Sequence, residues 1–417
     1  MKWALYFINM AERIRNSDWE NDEEMRHDLE KYVQRNLKRK EILDFMSADY
    51  PMYAWSIRTL SRRLQHFNIK YTNYDIALED VKTAVKKELN GPGVLLGYRA
   101  IQQKVREVHG LNVSRDLVYA VMGEADPEGL QSRGGIGKPK RPRRTNAFVS
   151  RGSNSTMSLD GHDKLCGYQK SMFPLCIYGG LDVYSGRVNF LKVWTTNNNP
   201  LVIGRFYFEY LFKARVLPQT LRLDRGTETD VMATIHCFLR GDLHNALDAI
   251  IYGPSTQNKI ERWWRDLLER MERFFKEQLK CLVESGDYDS SDQNDRDLLA
   301  YVYIPIIQKE LDIFRECVWN NHRTRKQRGK ELPAGIPEHI FHFPEKYGGE
   351  QCGIDITEEQ LLEVSELSNV LEDNDDYLRP AVREECKKHL PQIHEINPND
   401  AKEAYLYLKS HVDVNIF

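Results

Sequence analysis

TMSLDGHDKLCGYQKSMFPLCIYGGLDVYSGRVNFLKVWTT, residues 156–196, is the stretch on which the fold turns. It holds three β-rich runs, TMSLDGHDKL, MFPLCIYGGLDVYSG and RVNFLKVWTT, parted by Gly and Ser turn signals. Downstream, PLVIGRFYFEYLFKARV (200–216) has the apolar density of a packed helix, TLRLDRG (220–226) that of a short buried strand, and DVMATIHCFLRG (230–241) that of a second helix. AIIYG (249–253) predicts one more strand. NKIERWWRDLLERMERFFKEQLKC, from Asn258 to about Cys281, predicts a long amphipathic helix.

Three strands, helix, strand, helix, strand, helix is the element order of the ribonuclease-H-like α/β fold, a mixed five-stranded sheet flanked by helices. Three acids take particular places in it. Asp160 lies inside the first strand, Asp224 ends the fourth, and Glu261 sits in the first turn of the long helix. Leu159, Leu221 and Leu223 occupy the neighbouring strand positions, and a carboxylate among them is costly to bury unless it is paired or metal-bound. Three hard oxygen donors converging at a sheet edge suit two Mg²⁺ or Mn²⁺ ions about 3.5–4 Å apart, the arrangement that clamps the attacking and leaving oxygens of a phosphodiester.

LDGHDKL, YGGLDVYSGRV, LRLDRGTE and STQNKIERWWRDL together resemble the signature blocks of the integrase core domain of retroviruses, retroelements and cut-and-paste transposons. In particular they resemble animal integrase-core-domain proteins with DG-x-x-KL at the first strand and Q-x-IE-x-WW at the helix. The resemblance spans roughly residues 37 to 343. It implies a DDE-type polynucleotidyl transferase with Asp160, Asp224 and Glu261 as catalytic and metal-binding residues, separated by 63 and 36 residues. It also implies double-stranded DNA as partner (element ends and target), a homo-oligomer and a nuclear location.

Around the triad, Gln257 and Asn258 either contact DNA or cap the helix, with Ser255 beside them. Arg262 and Arg265 are placed to bind phosphate, or Arg265 pairs with Glu261 four residues back. His162 shares a strand face with Asp160 and serves as a simple hydrogen-bonded histidine or as a group supporting the metal. Trp263 and Trp264 are adjacent, so they face different ways, and at least one is expected to pack in the core. Beyond an acidic loop at 287–295, Trp319, Asn320, His322 and Arg323 resemble the animal family's W-N-x-H-R segment. Arg325, Lys326 and Arg328 follow as a basic patch, either solvated or suited to a DNA end.

Retroviral integrases open with a His-His-Cys-Cys zinc domain, but here no Cys precedes Cys166 and only His27, His66 and His109 lie ahead of the core. DNA recognition then falls to two helix pairs. In KRKEILDFMSADYPMYAWSIRTLSRRLQHFNI (38–69), Ile42, Leu43 and Phe45 mark one short helix, and Ser56 caps a second with Ile57, Leu60 and Leu64 inward. Arg58, Arg62 and Arg63 leave that apolar face, toward DNA or simply toward solvent. In residues 97–130, Ile101, Val105 and Val108 precede a break at Gly110, Ser114 caps, and Leu117, Val118 and Val121 point inward. Gly97, Tyr98, Arg99, Val113, Ser114, Arg115, Val118, Tyr119 and Met122 resemble the helix-turn-helix that precedes insertion-sequence transposase cores, which makes Arg99 and Arg115 candidate DNA contacts. Lys138, Lys140, Arg141, Arg143 and Arg144 lie in GGIGKPKRPRR, a basic linker.

The expected organisation is an all-α N-terminal region (1–88), a second helix pair (89–133), the linker (134–150), the catalytic core (151–344) and a mostly helical acidic tail (345–417). The net charge of −3 conceals this division. Residues 1–150 carry 26 Lys and Arg against 20 Asp and Glu, residues 151–344 carry 26 against 25, and residues 345–417 carry 7 against 17. The tail contacts a partner, mimics nucleic acid or keeps the protein soluble. Mean hydropathy of −0.59 with 41% hydrophobic residues excludes wholesale disorder. No apolar run is long enough for a membrane span, and the first residues turn charged too early for a signal peptide, so an intracellular protein is expected. Seven widely spaced cysteines without a C-x-x-C pair predict free thiols. A domesticated DNA-binding protein, or a nuclease without joining activity, fits the same residues.

Overall fold

A computed structural model describes residues 18–133, 150–167, 171–224, 226–241, 248–253, 259–326, 332–371 and 376–412. Two compact units emerge, one from residues 18–89 and 96–133, the other from residues 90–95 and 150 onward.

The first unit is helical: α1 Glu23–Gln34, α2 Arg39–Asp49, α3 Ile57–His66, α4 Leu78–Leu89, α5 Tyr98–Glu107, α6 Arg115–Ala125 and α7 Pro127–Arg133. Both expected pairs form, α2 with α3 and α5 with α6. Ser56 caps α3 by accepting from Thr59 N (3.1 Å), and Ser114 caps α6 by accepting from Leu117 N (3.2 Å). Gly110 supplies the left-handed turn between α5 and α6 at φ +67°. Ile42, Phe45, Leu60, Leu64, Ile101, Val105, Val118 and Val121 are buried, whereas Ile57 and Val108, at helix ends, are exposed.

The expected division at residue 88/89 does not survive. Arg106 of α5 is 1% exposed. Its guanidinium donates to Val33 O (2.5 Å), Gln34 O (3.0 Å) and Tyr71 O (2.8 Å). Val33 and Gln34 end α1, where carbonyls lack helical partners and a cation is favoured. One side chain therefore ties the second helix pair to the first helix.

The strands of the second unit are β1 Gly152–Ser153, β2 Thr156–His162, β3 Cys176–Asp182, β4 Val188–Trp194, β5 Val216–Leu217, β6 Thr220–Leu223, β7 Ile250–Tyr252, β8 Glu350–Gln351 and β9 Ile354–Asp355. Five of them form the central sheet, in the order β4-β3-β2-β6-β7. β2, β3 and β4 run antiparallel, while β6 and β7 continue parallel to β2. This is the mixed ribonuclease-H-like sheet. Helices α8 Pro200–Ala214 and α9 Asp230–Arg240 cover one face through Val202, Phe206, Leu211, Ile235 and Leu239. The other face receives the long helix. It runs as α10 Lys259–Leu267, a π-helical turn Leu268–Glu272, and α11 Arg273–Glu284, followed by α12 Gln293–Ile313.

The described residues from 345 to 412 are mostly helical, as expected, but they are not an appendage. Strands β1 and β5, at the start and middle of the core, pair with β8 and β9. After α13 Pro337–His342, helix α14 Glu358–Ser368 buries Leu361 and Val364 in the same core as Leu159 and Phe206. Helices α15 Pro380–His389 and α16 Ala401–His411 close on α12. Lys409 Nζ meets Asp295 Oδ2 at 2.6 Å, and Tyr301 donates to Leu390 O at 2.8 Å. The acidic side chains Glu358, Glu359, Glu363 and Glu366 lie outward, and the apolar residues between them do the packing. The expected boundary at 344/345 therefore disappears.

If this region is structural, Leu361→Ala lowers the unfolding free energy by about 2–4 kcal/mol, whereas Leu367→Ala, at a position 66% exposed, changes it little. Urea denaturation of the two variants measures the contrast, and equal midpoints would sink it.

Candidate catalytic centre beneath the long helix

Alternate residues of β2 project from one face, and the long helix holds three in succession. Ile260 N, a first-turn amide without a helical partner, donates to Ser158 Oγ at 3.1 Å. Trp264 Nε1 donates to Asp160 Oδ2 at 2.8 Å. His162 Nε2 lies 2.9 Å from Glu272 Oε2, and its ring stacks on Trp264 with centroids 4.7 Å apart. Lys259 Nζ adds a bond to Val183 O at 2.6 Å.

Asp224 follows directly on β6. The parallel register pairing Thr156 with Thr220 and Ser158 with Arg222 carries Asp160 alongside Asp224. Glu261, in the first turn of α10, reaches the same place. One ligand oxygen from each of the three acids lies within 4.8 Å of those of the others. Burial, and next the charge of Glu261, push Asp160 up to about 8, while the Trp264 N–H opposes the shift. Asp224 is raised as well, by burial first and then by Glu261 and Glu228. Its Oδ1 is buried and meets no donor among the described residues. An acceptor without a donor, in a group of carboxylates that repel one another, fits a divalent cation.

The sequence-expected residues fare differently. His162 is turned to Glu272 and is not a ligand of the cluster. Both tryptophans are buried, in keeping with the expectation that at least one packs in the core: Trp263 packs edge-on against Trp319 at 5.6 Å while Trp264 faces the sheet. Arg262 and Arg265 are exposed, and Arg265 pairs with Glu269 at 3.2 Å instead of Glu261. Arg58, Arg62, Arg99 and Arg115 are exposed. Arg63 is not. It is 3% exposed, with its guanidinium 4.1 Å from the Trp55 ring centroid and 5.2 and 5.3 Å from those of Trp19 and Tyr53. The expectation that Arg63 faces DNA is therefore corrected, because three rings enclose it. Lys138, Lys140, Arg141, Arg143, Arg144, Ser255, Gln257, Asn258 and Arg328 lie outside the described residues.

Trp319 and Asn320 serve the sheet. Asn320 exchanges two bonds with the Val188 backbone (2.9 and 3.0 Å), occupying the free edge of β4, and Trp319 Nε1 donates to Gly186 O at 2.9 Å. Arg325 and Lys326 are exposed. A further strand acid, Asp182, is taken up by its own turn, accepting from Asn154 N, Ser185 N and Ser185 Oγ.

Sequence reading missed three neighbours of the triad. Glu228 is a fourth carboxylate acting on Asp224, and Tyr178 is a buried hydroxyl held well above its ordinary pKa by burial and by Asp160, Glu228 and Asp224. The third is the Trp264 N–H. Only Glu228 carried a signal, the acid closing LDRGTE. Asp163, Cys166 and Cys176 also bring ligand atoms within 4.8 Å, but each thiol donates to a backbone carbonyl, and all seven cysteines are free, as expected.

Residues 148–341 match the family model of the integrase core domain. The matched span contains the whole five-stranded sheet, the long helix and all three acids, and is consistent with a DDE integrase-like superfamily member. Domains of this family use divalent metals. No curated protein matches the chain. No described helix is long and apolar enough to cross a membrane.

A cation entering the cluster must displace the proton that Asp160 retains up to pH about 8. Mn²⁺ affinity is therefore expected to climb between pH about 6 and 8. The Asp160 contribution to metal-free stability runs the other way. The folded group keeps a proton that the unfolded chain releases above pH about 4, so stability falls with rising pH across that window. Calorimetric titration with Mn²⁺ across the range tests this; an affinity independent of pH would contradict it.

Proposed function

We propose that the protein binds double-stranded DNA and catalyses divalent-metal-dependent phosphodiester hydrolysis and DNA strand transfer, as an integrase or transposase. The observation that carries this reading is the convergence of Asp160, Asp224 and Glu261 at one end of the sheet. These three residues would hold Mg²⁺ or Mn²⁺, as two ions. Bound there, the metal supplies activation of a water or DNA 3′-hydroxyl and neutralises charge on the leaving oxygen. The protein's part is to hold three repelling carboxylates in one place, with Asp160 fixed by the Trp264 N–H.

Arg58, Arg62, Arg99 and Arg115 are the proposed DNA contacts of the helical unit, and Arg262 and Arg265 those beside the triad. The linker residues Lys138, Lys140, Arg141, Arg143 and Arg144, with Gln257 and Asn258, complete the proposed interface. A homo-oligomer acting in the nucleus follows from the same reading.

Incubated with Mn²⁺ and DNA ending in a 3′-hydroxyl, the full-length protein is expected to nick and join strands. Asp224→Asn is expected to reduce both by about 10²-fold or more with an unchanged circular dichroism spectrum. Products formed equally well by the variant would overturn the assignment, and hydrolysis without joining would reduce it to a nuclease.

The DNA contacts are tested separately. Arg58→Ala with Arg62→Ala should weaken DNA binding and flatten the slope of log affinity against log salt by roughly 2. Arg63→Ala should act on the melting temperature instead, because that side chain is enclosed. An unchanged slope in the double variant would remove α3 from the interface.

A further inference from the structure

We infer that Trp264 is a positioning residue for the metal centre: its indole N–H fixes the Asp160 carboxylate, and His162 and Glu272 fix the indole. This deepens the proposed function and rests on that reading of the three acids.

The chain of contacts is continuous. Glu272 Oε2 lies 2.9 Å from His162 Nε2, the His162 ring stacks on Trp264 at 4.7 Å and 13°, and Trp264 Nε1 meets Asp160 Oδ2 at 2.8 Å. All of these groups but Asp160 are nearly inaccessible: Glu272 is 0%, Trp264 3% and His162 5% exposed. Packing that tight leaves the indole no other rotamer to visit. The strand opposite is cut to fit. Gly179 pairs with Asp160 across β2 and β3, and a Cβ there would come within 2.9 Å of Trp264 Cη2 and 2.7 Å of Leu191 Cδ2. A glycine at this register lets the indole lie flat against the sheet and reach the acid.

The π-helical turn completes the arrangement. In a regular α-helix, residue 272 would stand about 80° around the axis from residue 264, after eight steps of about 100°. The turn at Leu268–Glu272 underwinds the helix and brings Glu272 back to the side that carries Trp264. The choice of donor also matters. A lysine or arginine at Asp160 would fix it by cancelling its charge and would compete with a cation. A neutral N–H orients the carboxylate and leaves its charge for the metal.

The test compares full-length wild type with Trp264→Phe, which keeps a ring against His162 and deletes the donor. A second replacement, Trp264→3-benzothienylalanine, keeps the bicyclic shape with sulfur in place of N–H and covers the case in which the smaller ring fails to fold. Mn²⁺ affinity by calorimetry is expected to fall about tenfold or more in both, with melting temperature preserved in the isosteric variant. Wild-type Mn²⁺ affinity in the folded isosteric variant would overturn the role of Trp264. Normal Mn²⁺ binding by a wild-type protein that leaves DNA untouched would overturn the functional reading alone, and the affinity contrast would still support the positioning role.

Discussion

Ser158, Asp160 and His162 leave β2 on one face, and each is held by a different part of one long helix: the Ile260 amide, the Trp264 indole and the Glu272 carboxylate. This three-point attachment constrains everything near it. It sets the helix axis along the strand, which delivers Glu261 to the end of the sheet where the β2–β6 register has already placed Asp160 beside Asp224. Three carboxylates so close would drive one another apart on flexible loops. Here each departs from an element that cannot shift without breaking buried bonds. Burial first, and then that repulsion, raise the proton affinity of Asp160 and Asp224.

The fold and the triad were legible in the sequence for one reason: periodicity and charge are local. Alternating apolar runs gave the strands, the amphipathic face from Ile260 to Leu279 gave the helix, and acids inside apolar strands stood out by their cost. What escaped depends on groups far apart in the chain. The Trp264 bond spans 104 residues and the His162–Glu272 contact 110. A tryptophan reads as core from sequence whether or not its N–H has a task. The π turn leaves no mark either, since LERME is an ordinary helical sequence.

Arg63 and the acidic C-terminal region show a different failure. In both, charge reads as exposure when only the sequence is considered. Arg63 is drawn inward because Trp19, Tyr53 and Trp55 offer π faces as a substitute for water. In residues 345–412 the acids sit between apolar residues at helical spacing, so one helix can be strongly charged on its outer side and still supply Leu361 and Val364 to the core. Net charge over a window averages the two sides of a helix and loses that distinction.

The placement of those acids bears on how DNA could reach the core. Helix α14 covers the sheet face that α8 and α9 also cover, with Glu358, Glu359, Glu363 and Glu366 outward. The face bearing Asp160 is the opposite one, and the helix that covers it presents Arg262 and Arg265 to solvent one and four residues after Glu261. On the proposed reading, Arg262 and Arg265 would meet phosphates beside the triad, and the outward acids of α14 would face away from them. The local placement of these side chains, more than the total of −3, bears on whether the three acids can meet a phosphodiester.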